Sequence, residues 1–247
     1  MTLLAQFTIA AVFVGLAVSL GGNLHRRVIL ALNALGGGVI MFLIIKLVSE
    51  IMTRLSELFR NKPGAVSLAQ NPWLFAAVTV AGLVVVPLIL IFVVRERRRS
   101  IVLAIAFGLF NLTTTLIIST DTANGLYTLN AFSTTGVALL FLLEGVSIGA
   151  LLIKNRPGPF YLLILGLTVS LPALAGFNLS AASNIDLIVP FAQTAAAGFM
   201  LFYLPFVLSA GKDEGDVKWQ FIGMLSGMIV TGAILTALPI LGSLTGY

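Results

Sequence analysis

Residues 101–119 read IVLAIAFGLFNLTTTLIIS, an unbroken stretch without one charged side chain. A helix rising 1.5 Å per residue covers about 28 Å over that length, close to the ~30 Å hydrocarbon core of a bilayer. Lipid offers the backbone no hydrogen-bond partner, so such a stretch satisfies itself by folding as an α-helix. The same pattern recurs along the chain. We read eight apolar runs, at 4–21, 28–50, 72–94, 101–119, 127–153, 159–177, 186–209 and 219–243. Turn and polar signals separate them: Gly21-Gly22-Asn23, Asn61-Lys62-Pro63-Gly64, Asn71-Pro72, Asn124-Gly125, Asn155-Arg156-Pro157-Gly158 and Gly211 to Gly215. The longest connection is 51–71. Its start, Ile51 to Phe59, keeps a helical apolar spacing, so the second helix is expected to run past the membrane surface.

Composition says the same. The 247 residues are 59% hydrophobic and 9% charged, against roughly 45–50% and 25% in a soluble domain. An ordinary soluble enzyme and a disordered chain are excluded. The net charge of +5 sits in short clusters between apolar runs, which orient a membrane protein more often than they grip nucleic acid. Cysteine is absent and His25 is the one histidine. Thiolate metal sites, disulfides and multi-histidine sites are thereby excluded. No phosphate loop or nucleophile–base pair appears, so no enzyme is expected. The first run has no basic residue before it, unlike a signal peptide, and is read as a mature helix. Residues 1–247 form one transmembrane domain in this reading, with the lipid bilayer as partner.

Orientation follows from the basic residues. Arg26, Arg27, Arg95, Arg97, Arg98, Arg99, Lys154, Arg156, Lys212 and Lys218 fall in the connections on one face, and Arg54, Arg60 and Lys62 on the other. Short loops rich in Lys and Arg stay in the cytoplasm, so both termini are expected outside. Trp73, Tyr127, Tyr161 and Trp219 fall near run ends, where amphipathic rings favour the interface.

Charges inside the runs each need a reason, because one costs about 2.5–3.5 kcal/mol at a helix centre. Lys46 and Glu50 stand near the outer end of the second run at i,i+4 spacing and can pair. Glu144 lies deep in the fifth run with no cation near it in sequence. It is expected to be protonated, paired across helices or turned to a polar cavity. Asn111 in the fourth run and Gln193 in the seventh need partners on other helices. Thr113, Thr114 and Thr115 can bond back to their own helix. Gly36-Gly37-Gly38, Gly145 with Gly149, and Gly223 with Gly227 permit close helix approach.

Two of these runs carry a resemblance. Gly108-Leu109-Phe110-Asn111-Leu112-Thr113-Thr114-Thr115 resembles the Gly-Leu-His-Asn-x-x-Glu-Gly motif of ZIP (Zrt/Irt-like) metal transporters. Gly136 through Leu140 to Glu144-Gly145 resembles the next helix's Gly-x-x-x-His-x-x-x-Glu-Gly. Arg156-Pro157, Leu165-Gly166-Leu167 to Leu171-Pro172-Ala173, and Ala195-Ala196-Ala197-Gly198 are similar to later helices of the family. Lys46-Leu47-Val48-Ser49-Glu50 is comparable to a family His-Leu-x-Pro-Glu. The resemblance implies an all-α, eight-helix bundle in the plasma membrane of a prokaryotic cell, and a homodimer or association with other membrane subunits. It implies movement of a divalent cation of the zinc or iron class through a site between the fourth and fifth helices. No resident cofactor is implied; the metal would be the transported ion.

In the family motif, residues at i and i+4 share a face, so two helices aim His and Glu pairs at one metal. Here the matching positions hold Phe110 for His, Thr114 for Glu and Leu140 for His, with Phe141 beside the last. Asn111 and Glu144 remain as the oxygen donors to a metal. Lys46, Glu50 and Gln193 are the candidates for charge compensation or added ligands. Lys46, or a proton on Glu144, can then stand in for the missing metal charge. The alternative function is a ZIP-fold protein that no longer carries metal, serving as a structural or regulatory subunit or moving a different small ion.

Overall fold

The computed structural model describes residues 2–21, 24–61, 71–93, 99–123, 131–153, 157–179, 185–209 and 217–244. The basic residues Lys62, Arg95, Arg97, Arg98, Lys154, Arg156 and Lys212, and Tyr127, lie outside them. Among the described residues the chain is helical throughout, without a strand. The helices are α1 (Thr2–Leu16), continued by a 3₁₀ turn at Ala17–Leu20, then α2 (Arg26–Asn61), α3 (Pro72–Val80) and α4 (Val86–Val93). They continue as α5 (Arg99–Ala123), α6 (Ala131–Leu152), α7 (Pro159–Leu179), α8 (Ile185–Ser209) and α9 (Val217–Leu244). Seven helical stretches are long and apolar enough to cross a membrane, and Gln6–Leu20 forms a shorter apolar helix. The protein is therefore all-α, with the helices of a multi-pass membrane protein.

The third run is not one uniform helix. A π turn at Ala81–Val85 joins α3 to α4, and the Val86 N–H reaches back five residues to the Ala81 carbonyl. Pro87 accounts for it physically: it has no N–H to give, and its ring crowds the carbonyl four residues back. A wider turn relieves both. The run opens on Asn71, whose side chain accepts the N–H groups of Trp73 at 3.0 Å and Leu74 at 3.4 Å.

With 36 residues, α2 is about 54 Å long and overshoots a ~30 Å hydrocarbon core. Its far end is tied to the start of α3. Arg54 lies over the Phe75 ring, 5.9 Å from the centroid, and Phe59 meets Trp73 edge-on at 5.4 Å. Such contacts suit the boundary, where an apolar body and a polar tip are both satisfied.

Glycines set which helices meet. A Cβ on Gly145 of α6 would collide with the Val12 carbonyl of α1, and one on Gly15 would meet the Val146 nitrogen at 2.6 Å. Gly38 packs on Met224 and Met228, Gly223 on Ala31, and Gly227 on Leu35 and Val39, so α2 and α9 touch along their backbones. Gly108 meets Thr168, and Gly176 meets Leu112 and Leu116, which joins α5 to α7. Gly82 in the π turn meets Thr194, and Gly198 meets the Gly82 carbonyl, which joins that turn to α8. Residue numbers rise together in each pair, so each runs parallel. Lipid is as apolar as leucine, so backbone approach and dispersion hold such pairs together. A core of Phe107, Phe110, Phe141, Leu43, Leu47, Leu140 and Met200 fills the space between pairs.

Candidate functional site

Asn111 and Glu144 meet in that core. On α6, Val137, Leu140, Phe141, Glu144, Ser147 and Ile148 are buried, the i, i+3, i+4 stripe of one helix face. On α5, Phe107, Phe110 and Asn111 are buried likewise. The Asn111 amide Nδ2 donates to Glu144 Oε2 at 2.6 Å. Both side chains are fully enclosed, at 0% exposure. Glu144 Oε1 and Asn111 Oδ1 are buried without any hydrogen-bond partner. An unfilled buried acceptor costs about 1–3 kcal/mol, so this pair is held short of satisfaction.

The other positions compared above with the ZIP motif surround the pair with side chains that are mostly hydrocarbon. Phe110, Leu140 and Phe141 are fully buried members of the core, and Thr114 is half-buried. Thr113 and Thr115 donate to the Phe110 and Asn111 carbonyls, each at 2.7 Å. Among the described residues, three or more His, Cys, Asp or Glu nowhere gather as a metal would require. Two oxygen donors without imidazole or thiolate do not make a closed four-coordinate site for a divalent ion.

Lys46, Glu50 and Gln193 form a second, separate cluster. The Lys46 ammonium pairs with Glu50 Oε1 one turn along α2. Gln193 Nε2 on α8 donates to Glu50 Oε2 at 3.1 Å. Glu50 thus bridges two helices with both oxygens filled. Its side chain is 41% exposed and that of Lys46 30%. The charge of Lys46 is spent on Glu50 and does not reach Glu144, and Gln193 likewise turns to Glu50. Gly36 lies against Ser147, which places Lys46 ten residues, about 15 Å, beyond the level of Ser147. Glu144 stands one turn from Ser147, so Lys46 and Glu144 occupy different depths.

Reading the residues in order misses three buried polar atoms without a partner: Ser19 Oγ, Asn33 Oδ1 and Thr231 Oγ1. Hydroxyls in membrane helices usually bond back to their own carbonyls, so sequence alone gives no signal for Ser19 or Thr231. Asn33, an amide inside an apolar run, does carry one. No protein-family model matches the chain, and no curated protein matches it in sequence.

Proposed function

We propose that the chain is a membrane carrier on the ZIP-like plan that moves a small cation through the Asn111–Glu144 pair. The observation that carries this reading is the sealed carboxylate and carboxamide with one oxygen each unfilled. A proton on Glu144 Oε1 would turn that oxygen into a donor for Asn111 Oδ1. An acid and an amide then join through two hydrogen bonds, and both vacancies close with one cation. A divalent metal, which the resemblance implies, would need further ligands from water or backbone carbonyls. The donor set therefore favours a proton over zinc or iron.

Eight crossings with both termini outside complete the proposal. Helix α1 and its 3₁₀ turn together rise about 30 Å, enough for a span. If every run crosses, odd runs are parallel to odd and even to even. Runs one and five, two and eight, three and seven, and four and six pair in parallel, as the glycine contacts require.

Proteoliposomes holding a trapped pH dye, with a potassium diffusion potential across them, test the function. The wild type should acidify the lumen, Glu144→Gln should reduce that flux to the level of empty vesicles, and a trapped zinc dye should stay dark. A zinc signal lost in Glu144→Gln would reinstate the divalent ion. Burial of Phe110 and Leu140 at two of the ligand positions, with Phe141 beside the second, favours a second reading, a scaffold without transport. Equal flux in wild type, variant and empty vesicles would select it.

A further inference from the structure

Glu50 receives two groups, and they are held very differently. Gln193 Nε2 on α8 donates to its Oε2 at 3.1 Å, and the Lys46 ammonium pairs with its Oε1. Gln193 is buried, at 7% exposure. The next residue, Thr194, is wedged against Gly82 of the π turn and bonds back to the Pro190 carbonyl at 3.0 Å. One turn on, Gly198 closes on the Gly82 carbonyl. The carboxamide therefore stands on backbone held by close packing. Lys46 reaches Glu50 on a flexible four-carbon stem, with Glu50 as its one partner among the described residues. Carboxylate and carboxamide are the fixed part of this cluster, and the ammonium is the movable part.

Two helices give the cluster the same depth. Phe59 and Trp73 touch at the boundary that aromatic rings favour. Glu50 precedes Phe59 by nine residues on α2, and Gly82, which meets Thr194, follows Trp73 by nine. Either count puts the cluster about 14 Å inside that aromatic pair. Charge at such a depth is costly unless it is paired and given a polar surround. Helix α2 supplies one. Lys46, Ser49, Glu50, Thr53, Glu57 and Arg60 recur at spacings of three and four and share one helix face. Ser49, Thr53, Glu57 and Arg60 are exposed, and the Lys46 and Glu50 side chains keep 30% and 41% of their surface open. This polar stripe runs from the cluster to the end of α2. In the other direction along α2, Leu43 and Leu47 are fully buried, so the cluster is open toward the stripe and closed toward the level of Glu144.

The cluster also repeats the chemistry of the deeper pair, a carboxylate held by a carboxamide from another helix: Glu144 by Asn111, Glu50 by Gln193. At Glu50 a cation is already in place. We propose that Glu50 and Gln193 form a second cation site, for ions of the ammonium type, reached from the face where α2 ends, with Lys46 as its tethered occupant. The Lys46 Nζ shows that Glu50 has room for an ammonium group. A free ammonium ion, or the head of a primary alkylammonium, makes the same charge-assisted hydrogen bond. While Lys46 stays, its high effective concentration beside Glu50 excludes free cations. The site stands independently of any role for the Asn111–Glu144 pair.

Two variants vacate different parts of the site. Lys46→Met is one atom shorter and uncharged, which leaves room for the ammonium ion itself. Lys46→Ala removes the stem as well, which leaves room for n-propylammonium. Thermal unfolding of the full chain in detergent is followed at constant ionic strength, with tetramethylammonium, which has no N–H, as the balancing cation. The midpoint of Lys46→Met should rise saturably with ammonium, and that of Lys46→Ala with n-propylammonium, by about 4 °C at ten times the dissociation constant. The wild type should not respond, and neither should either variant once Glu50→Gln is added. Adding Gln193→Leu to Lys46→Met should weaken the ammonium response about tenfold, because that N–H positions the carboxylate. No response in either variant, or an equal response with Glu50→Gln present, removes the site. Should one variant fail to fold, the other decides alone. The readout is independent of flux: an ammonium response without transport removes the carrier and keeps this site, and transport without an ammonium response does the reverse.

Discussion

At the residue scale, the Asn111–Glu144 pair is one hydrogen bond with two vacancies. That arrangement makes substitutions report on it in opposite directions. Glu144→Gln keeps the shape and supplies an N–H for Asn111 Oδ1, so the variant should be as stable as the wild type or up to ~1 kcal/mol more so. Glu144→Leu should cost about 1–3 kcal/mol, because Asn111 then loses its acceptor in a dry core. The double change Asn111→Leu with Glu144→Leu should recover most of that loss, since neither group is left stranded. Thermal unfolding in detergent, as a double-mutant cycle, checks all three. Glu144 and Asn111 are legible in the sequence because a carboxylate and an amide inside an apolar run always need an explanation. The pairing of Lys46 with Glu50 is legible from i,i+4 spacing, whereas the bond from Gln193 to Glu50 joins positions 143 residues apart and has no local signal. Ser19 and Thr231 look ordinary in sequence because a hydroxyl is expected to bond its own helix.

At the element scale, run length and apolarity give the helices nearly to their ends, including the extension of α2 beyond residue 50. The π turn at Ala81–Val85 is only half announced: Pro87 signals a disturbance, but not whether the helix kinks or widens. Glycines announce close approach without naming the partner. Gly145→Leu should therefore separate α1 from α6 and cost about 3 kcal/mol or the fold itself, measured as loss of the folded peak on gel filtration. The i,i+4 logic of α5 and α6 offers a second test. Phe110→His, Thr114→Glu and Leu140→His together put two imidazoles and a second carboxylate beside Glu144. The triple variant should retain about one zinc per chain through gel filtration, while the parent retains none. If the triple variant stays metal-free and folded, these positions do not converge and the ZIP-like register is wrong.

At the scale of the whole molecule, parallel pairing of α1 with α6, α2 with α9, α5 with α7, and the π turn with α8 organises the bundle around a buried polar centre. None of those partnerships can be read from composition, because every run is apolar on all sides that matter. Charge asymmetry, by contrast, is fully legible and implies an orientation. In right-side-out vesicles an impermeant maleimide should label Glu57→Cys and spare Lys218→Cys; the reverse pattern would invert the topology. The central claim, that the Asn111–Glu144 pair takes up a cation, is met most directly by charge movement on a solid-supported membrane. A rapid pH step on wild-type proteoliposomes should give a transient current that Glu144→Gln lacks at equal protein density. Identical currents from the two proteins would contradict the account.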